Sequence, residues 1–344
     1  MSRMIAKATI ADIARTVNVT ASTVSRALND HPAISDSTKR LVSRAAKKLK
    51  YKPNKIASSL RLGKTHILGV LIPSAEINFF GSVVHGIEKV ANANNYNVLL
   101  YQSSELYDFE KKGVETFLRA RVDGVLASIA KQTVNYQHYK EVRKRNIPLI
   151  LFDRANDALG VPSVVIDDYK GAYNATKHLI EQGCKHIAHI GGQQHVAIFK
   201  ERLRGFTDAL KDHKMPVERS RIVLGKVSVE SGRKCMQQLL ELLEPVDGVF
   251  AVEDFTALGA FQAIKAAGKS MPDDVALIGF ANEAFGSYIT PSLSTVDQQT
   301  IKMGEEAAKL FFSLSQSQSF YKTAPIKIVL EPKLIYRASS LRNK

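Results

Sequence analysis

Arg26 stands four residues after Ser22 and five after Ala21 in the stretch Thr20-Ala21-Ser22-Thr23-Val24-Ser25-Arg26-Ala27-Leu28. At helical spacing Ala21, Ser22, Ser25 and Arg26 form one polar face, while Val24, Ala27 and Leu28 fall on the other. A guanidinium among small side chains at the start of a helix suits bidentate bonding to guanine O6 and N7, in a helix slim enough to enter a major groove.

The elements that must position this face are legible around it. Ile10, Ile13, Ala14 and Val17 recur at helical spacing just before it, and Thr9 and Thr20 stand where each helix needs a cap, with Asp12 completing a short capping box. The turn around Asn18 and Val19 is too short for antiparallel helices, so the two must cross steeply as a helix-turn-helix. Ser35 caps a third helix with an apolar stripe of Leu41, Val42, Ala45, Ala46 and Leu49. Its other face carries Lys39, Arg40, Arg44, Lys47, Lys48 and Lys50.

Charge follows the same division. Residues 1–65 hold 14 Lys and Arg against 3 acids, whereas the remaining 279 hold 34 against 30, so the total of +15 is concentrated in a small N-terminal unit. That is the electrostatic footprint of a nucleic-acid reader. Pro53 stops the third helix and Asn54 can cap another that ends at Gly63. Seven or eight residues make a helix unstable alone in water, so its folding can depend on a partner.

A chain of 344 residues suggests two or three domains. From His66 onward strands and helices alternate: Ile67 to Pro73, Tyr96 to Tyr101, Val122 to Ile129 and Ile147 to Phe152 read as buried parallel strands between helical patterns. A second unit begins near Val164 to Asp167 and continues through Ile187 to Gly192, Ile222 to Leu224, Gly248 to Val252 and Val275 to Phe280. The fold class is mainly α/β, two doubly wound units whose strand ends face a common cleft. Cys184 and Cys235 fit neither a disulfide framework nor a metal site and read as small buried hydrophobes on helices. With no signal-like or membrane-length apolar run, a cytosolic protein without membrane contact is expected. Nucleophile elbow, Walker loop, paired-carboxylate and metal-ligand patterns do not stand out, and His186 and His189 should face opposite sides of a strand. No enzyme activity, catalytic residue, cofactor or metal is expected.

The opening stretch, Pro53-Asn54, Ala57 to Leu60, Val122-Asp123-Gly124, Phe152-Asp153-Arg154, Arg202 to Phe206, Pro272 to Phe280, Pro291 to Val296 and Arg337 to Ser340 together resemble the lactose-repressor/galactose-repressor family of bacterial transcription regulators, over essentially the whole chain. The resemblance implies a headpiece over 1–52, a hinge helix and linker over 53–65, and a periplasmic-binding-protein-like core over 66–344. Its chain would cross between lobes near Asp167, Val296 and Ile326, giving lobe one about 66–166 and 297–325, and lobe two about 167–296 and 326–344. It further implies a homodimer on double-stranded palindromic operator DNA. Ala21, Ser22 and Arg26 would read the major groove and Ser25 would meet a phosphate. Asn54, Ala57, Ser58, Leu60 and Arg61 would enter the minor groove, with Leu60 as the wedge. A Ser at position 58, where many members have Arg beside it, should weaken the salt dependence of that element.

By the same resemblance a small-molecule effector would lie against Phe79, Phe80, Asp153, Arg154, Val196, Ile198, Arg202, Asp254, Ala281 and Asn282. The purine-binding branch has a second arginine at the position of Val196, an aromatic near Val227 and an acid at the position of Ala281. Without them a sugar or sugar derivative is the expected effector.

Overall fold

A computed structural model describes residues 8–51, 64–315, 320–322 and 324–342. The chain divides into two compact units, Met1–Thr65 and His66–Lys344. The hinge residues Asn54, Ala57, Ser58, Leu60 and Arg61 lie outside the described residues.

In the first unit α1 (Ile10–Val17), α2 (Ala21–Leu28) and α3 (Asp36–Lys48) enclose a small core of Ile13, Ala14, Val24, Ala27, Val42, Ala45 and Ala46. Each large aliphatic side chain buried there stabilises by about 1.5–3 kcal/mol. Leu41, expected on the α3 stripe, is half exposed; Leu49, of the same stripe, packs at the edge of this core together with Tyr51.

The second unit starts with β1 (Ile67–Ile72), α4 (Asn78–Ala93), β2 (Asn97–Gln102), α5 (Tyr107–Ala120), β3 (Gly124–Ala127), α6 (Gln137–Lys144), β4 (Leu149–Phe152) and β5 (Ser163–Ile166). It continues through α7 (Asp168–Glu181), β6 (Ile187–Gly191), α8 (Ala197–Asp212), β7 (Ile222–Leu224), α9 (Val229–Leu240), β8 (Gly248–Ala251), α10 (Asp254–Ala266) and β9 (Ala276–Ile278). It ends with β10 (Thr295–Asp297), α11 (Thr300–Ser315), β11 (Lys327–Leu330) and β12 (Lys333–Ile335). A parallel sheet of order β11-β5-β4-β3-β1-β2 forms lobe one, and another of order β7-β6-β8-β9 forms lobe two. Helices cover both faces of each sheet, which is why strands such as β1 and β4 read as unbroken apolar runs. In lobe one, for example, Val70 packs with Val83 and Phe311 while its neighbour Leu71 packs with Phe117 on the opposite face.

Two sequence boundaries move. The strand from Val164, which the alternation alone reads as opening the second unit, pairs with β4 in the first sheet, on the lobe-one side of the bound at 166 that the resemblance implies. The third crossover, expected near Ile326, falls at Glu331 and Pro332, because 327–330 pair in parallel with β5 before the chain returns as β12 to β10. Cys235 lies on α9, but Cys184 sits in the loop between α7 and β6 rather than on a helix; both are buried.

Three helix pairs meet at glycines. A methyl group at Gly304 would overlap the Val83 carbonyl oxygen on α4, one at Gly205 the Tyr169 oxygen on α7, and one at Gly259 the Val229 oxygen on α9.

Candidate nucleic-acid interface and effector cleft

The headpiece is held by caps at each helix start. Thr9 donates its backbone N–H (2.8 Å) and hydroxyl (2.7 Å) to Asp12 Oδ2, and Thr9 Oγ1 accepts from Asp12 N at 3.3 Å. The Thr9 hydroxyl, more than the nearby Arg15, pulls the Asp12 carboxyl down to about 2. Asn18 closes α1 in the left-handed conformation at φ 50°, which turns the chain within the short connection. Thr20 Oγ1 then accepts from Thr23 N at 3.1 Å to start α2.

This places Ala21, Ser22 and Arg26 at the surface, as their types require. Ser25, assigned to the same face, is buried at 7% exposure. At 100° per residue it still points between Ala21 and Ser22, so what covers this small side chain is the packing of α1 and α3 on α2 and not its place on the helix. On α3, Arg40, Arg44, Lys47, Lys48 and Lys50 are exposed, while Lys39 is half-buried and pairs with Asp30 at 2.7 Å.

Between the lobes a cavity of about 340 Å³ opens at the carboxyl ends of the strands, where parallel sheets bind ligands. The start of α4 contributes Phe79 and Phe80, the loops after β3 and β4 contribute Lys131, Asp153 and Arg154, and α8 contributes Ile198, Phe199 and Arg202. Glu253, Phe255, Ala281 and Gln298 close the lobe-two side. A wider cleft of about 740 Å³ adjoins it, shares Lys131, Asp153, Arg154 and Ile198, and adds Tyr136, His195 and Val196.

Every cation on the wall of the inner cavity already has a carboxylate. Arg154 binds Glu105 through Nη1 at 2.7 Å and Nη2 at 3.0 Å, and Lys131 lies 3.4 Å from the same carboxylate. Arg202 reaches Asp168 through Nε and Nη2, the Val252 carbonyl through Nη1 at 2.7 Å, and Gln298 at 3.3 Å. Its guanidinium also stacks 3.6 Å from the centroid of the Phe280 ring. Asp153 accepts from Ser128 at 3.0 Å, and burial raises its pKa. Burial and the neighbouring Asp254 push Glu253 up to about 8, and its Oε2 accepts from the Phe255 N–H at 2.9 Å.

Three expected effector residues do not line this cavity: Val196 faces the wider cleft, and Asp254 and Asn282 line neither. Asp254 is fully buried, with Oδ1 accepting from Thr295 Oγ1 and Oδ2 from Glu283 N, both at 2.7 Å. Asn282 donates to Asp297 at 3.1 Å and accepts from Arg337 at 2.8 Å. Both are thus spent on partners inside the structure; the chain passes Ala281 (φ 132°) and Asn282 (φ 55°) in positive-φ conformations, and the Asn282 amide bonds Asp297 and Arg337. Lys131, Glu253, Glu105 and Asp168 were missed. The signal was their place beside or just past strand ends, where parallel sheets gather their site loops.

Residues 9–54 match the model of the "Bacterial regulatory proteins, lacI family", and residues 176–340 match a periplasmic binding protein-like domain. The chain is 32% identical to the ribose operon repressor of Halalkalibacterium halodurans over 325 residues, covering 94% of this chain and 96% of that one. A transcriptional regulator CelR–cellobiose complex aligns with a TM-score of 0.73 at 27% identity, over 97% of this chain and 100% of that one. The lac repressor dimer bound to operator aligns at 0.86 over 98% of this chain and all of the other, at 24% identity, which speaks to the fold. The core match alone would equally suit a solute-binding protein of transport; the match over 9–54 adds the DNA-binding headpiece of a regulator. With a headpiece of this charge and capping ahead of a two-lobed, cleft-bearing core, the chain belongs to the lacI family of bacterial regulatory proteins and is a ligand-responsive, DNA-binding transcription regulator.

Proposed function

We propose that the chain is a repressor that binds a palindromic operator as a homodimer, and that a neutral sugar in the cleft sets its affinity for DNA. The headpiece over 1–52 reads each half-site through Ala21, Ser22 and Arg26. The segments over 53–65 pair on the duplex, carrying Asn54, Ala57, Ser58, Leu60 and Arg61 into the minor groove, with the core over 66–344 as the effector module. Ser25 stays inside the headpiece and makes no phosphate contact. An effector acts by binding one lobe arrangement more tightly than another, and only one arrangement spaces the two hinges for pairing.

The observation that carries the effector class is the pairing of Arg154, Lys131 and Arg202 with carboxylates around a cavity also walled by phenyl rings. An anionic sugar would have to displace a carboxylate already bonded there, whereas hydroxyls use leftover N–H and oxygen positions and C–H faces lie on the rings. The name of the ribose operon repressor and the cellobiose in the CelR complex are in keeping with a neutral sugar.

Thermal shift of the full chain with ribose, glucose, cellobiose, gluconate and glucose 6-phosphate tests the class, since a ligand that binds the native state raises its melting temperature. A neutral sugar should stabilise and the two anions should not; stabilisation by the anions alone would overturn the reading. Fluorescence anisotropy with a pool of genomic fragments tests the DNA side. Sequence-selective, salt-sensitive binding that weakens by a few kcal/mol in Leu60→Ala is expected. Equal affinity of Leu60→Ala and the parent would remove the hinge from recognition.

A further inference from the structure

Helix α4 carries the aromatic wall of the cavity on its first turn, yet it starts without a cap of its own: Ile77 occupies the cap position and offers no side-chain acceptor. The first turn of a helix leaves N–H groups without partners, so an acceptor must come from elsewhere. It comes from the other lobe. Glu283, 3% exposed, accepts the Phe79 N–H on Oε1 at 3.3 Å across the cleft.

Lobe two grips the base of that glutamate. The Glu283 N–H donates to Asp254 Oδ2 at 2.7 Å, and Thr295 Oγ1 links the other Asp254 oxygen to the Asn282 N–H, at 2.7 and 3.1 Å. The Asn282 amide is tied to Asp297 and Arg337, and the Gly286 N–H donates to the Glu283 carbonyl at 3.1 Å. Asp254, Thr295, Asp297 and Arg337 thus hold the segment 281–283 from the lobe-two side, and the Glu283 carboxylate leaves lobe two to meet lobe one. The Phe79 it meets forms an edge-to-face pair with Phe80, with ring centroids 4.9 Å apart.

We infer that Glu283 is a positioning residue by which lobe two sets the aromatic wall of lobe one: it caps α4 only when the lobes are closed. Separation of the lobes removes the acceptor, leaves the first turn of α4 uncapped and releases Phe79 and Phe80 from the placement they hold here. The cavity is then complete only in the closed arrangement. Asp254 and Asn282 act on the site at one remove, through Glu283. This role is independent of which effector binds and of the neutral-sugar reading.

The test uses the full chain without added ligand. Spin labels at Val134→Cys on lobe one and Leu243→Cys on lobe two occupy exposed positions, and Cys184 and Cys235 are buried, with burial raising both thiol pKa values. Electron–electron resonance distances and amide exchange over 77–84 are measured in the parent, Glu283→Gln, Glu283→Asp and Glu283→Ala. Glu283→Gln keeps an oxygen at the same reach and should match the parent in both readouts. Glu283→Asp keeps the charge but falls short by a methylene; like Glu283→Ala it should add a longer-distance population and speed exchange over 77–84 by about tenfold or more, as expected for local opening. Parent-like distances and exchange in Glu283→Ala would overturn the role. So would faster exchange spread through β8 and β9 with label distances unchanged, which would mark a folding defect of lobe two, and so would Glu283→Asp matching the parent while Glu283→Gln does not, which would make charge rather than reach the operative property.

Discussion

Arg202 and Asp168 are bonded twice through a single oxygen: Nε at 2.8 Å and Nη2 at 2.7 Å both meet Asp168 Oδ1, with the two residues 2% and 7% exposed. The pair joins α8 to the first residue of α7, where the chain has just entered lobe two, and the Gln298 contact ties it to the second crossover. Arg202 is thus held inside lobe two beside the crossovers. It is neither a free effector ligand nor a salt bridge from lobe to lobe. A ligand reaching it meets a guanidinium with its orientation already fixed, which lowers the ordering cost of binding.

Asp168→Ala should be strongly destabilising, because it strands a buried guanidinium; loss of one partner of such a pair costs about 3–5 kcal/mol. Urea unfolding of the full chain checks this. A variant as stable as the parent would mean that the pair contributes nothing net.

Arg26→Ala should weaken operator binding by about 1–3 kcal/mol and relax preference at one base per half-site. Ser25→Ala, at a buried position, should instead leave the salt dependence of binding unchanged. Binding titrations at several salt concentrations against base-substituted operators separate the two. Uniform loss at every base in Arg26→Ala would reassign that residue to phosphate.

Acid should destabilise the core through His189, which is stacked between Phe206 and Phe250 and pushed down to about 4 by burial. Between its unfolded value near 6.5 and the folded 4 the unfolded chain binds more protons, so stability present above 6.5 falls as pH drops, by about 3 kcal/mol. Glu253, pushed up to about 8, and Asp168 and Asp254, both raised to about 6, all with burial as the largest cause, act in the opposite sense as pH falls and together outweigh it, so the His189 contribution is read as the difference between parent and variant. His189→Phe should remove the acid-sensitive component. Chemical denaturation at pH 7 and pH 4.5 measures the difference, and an unchanged pH dependence in the variant would refute it.

Gly304→Ala should destabilise lobe one by about 1–3 kcal/mol or more, because the new methyl meets the Val83 carbonyl oxygen, a backbone atom that cannot rotate away. Thermal unfolding of the variant beside Gly81→Ala, where a methyl meets open space, isolates the clash. Equal melting temperatures would show that the helices move apart at little cost.

Local patterns carried most of the architecture. Caps at Thr9, Thr20 and Ser35, the helical spacing of Ile10 to Leu28 and the apolar runs of β1, β3, β4, β8 and β9 are written in neighbouring residues, so they read directly. What failed was decided by partners far along the chain. The strand 327–330 joins β5, more than 160 residues earlier, and nothing local distinguishes that sheet from the other. The resemblance puts Asp254 and Asn282 against the effector, but Thr295 and Arg337 claim their side chains. Ser25 was misplaced for a different reason. Helical spacing does put it between Ala21 and Ser22, but how far neighbouring helices cover a small side chain there is set by tertiary packing, which the pattern of α2 alone does not carry.

The glycine contacts between α4 and α11, α7 and α8, and α9 and α10 bring main chain against main chain, with no layer of side chains in between to be rearranged. Such helix pairs have nothing soft to slide on. Away from the first turn of α4 each lobe is braced as one piece, so a message that starts in the cleft should leave it chiefly as the swing of one lobe about the three connecting segments.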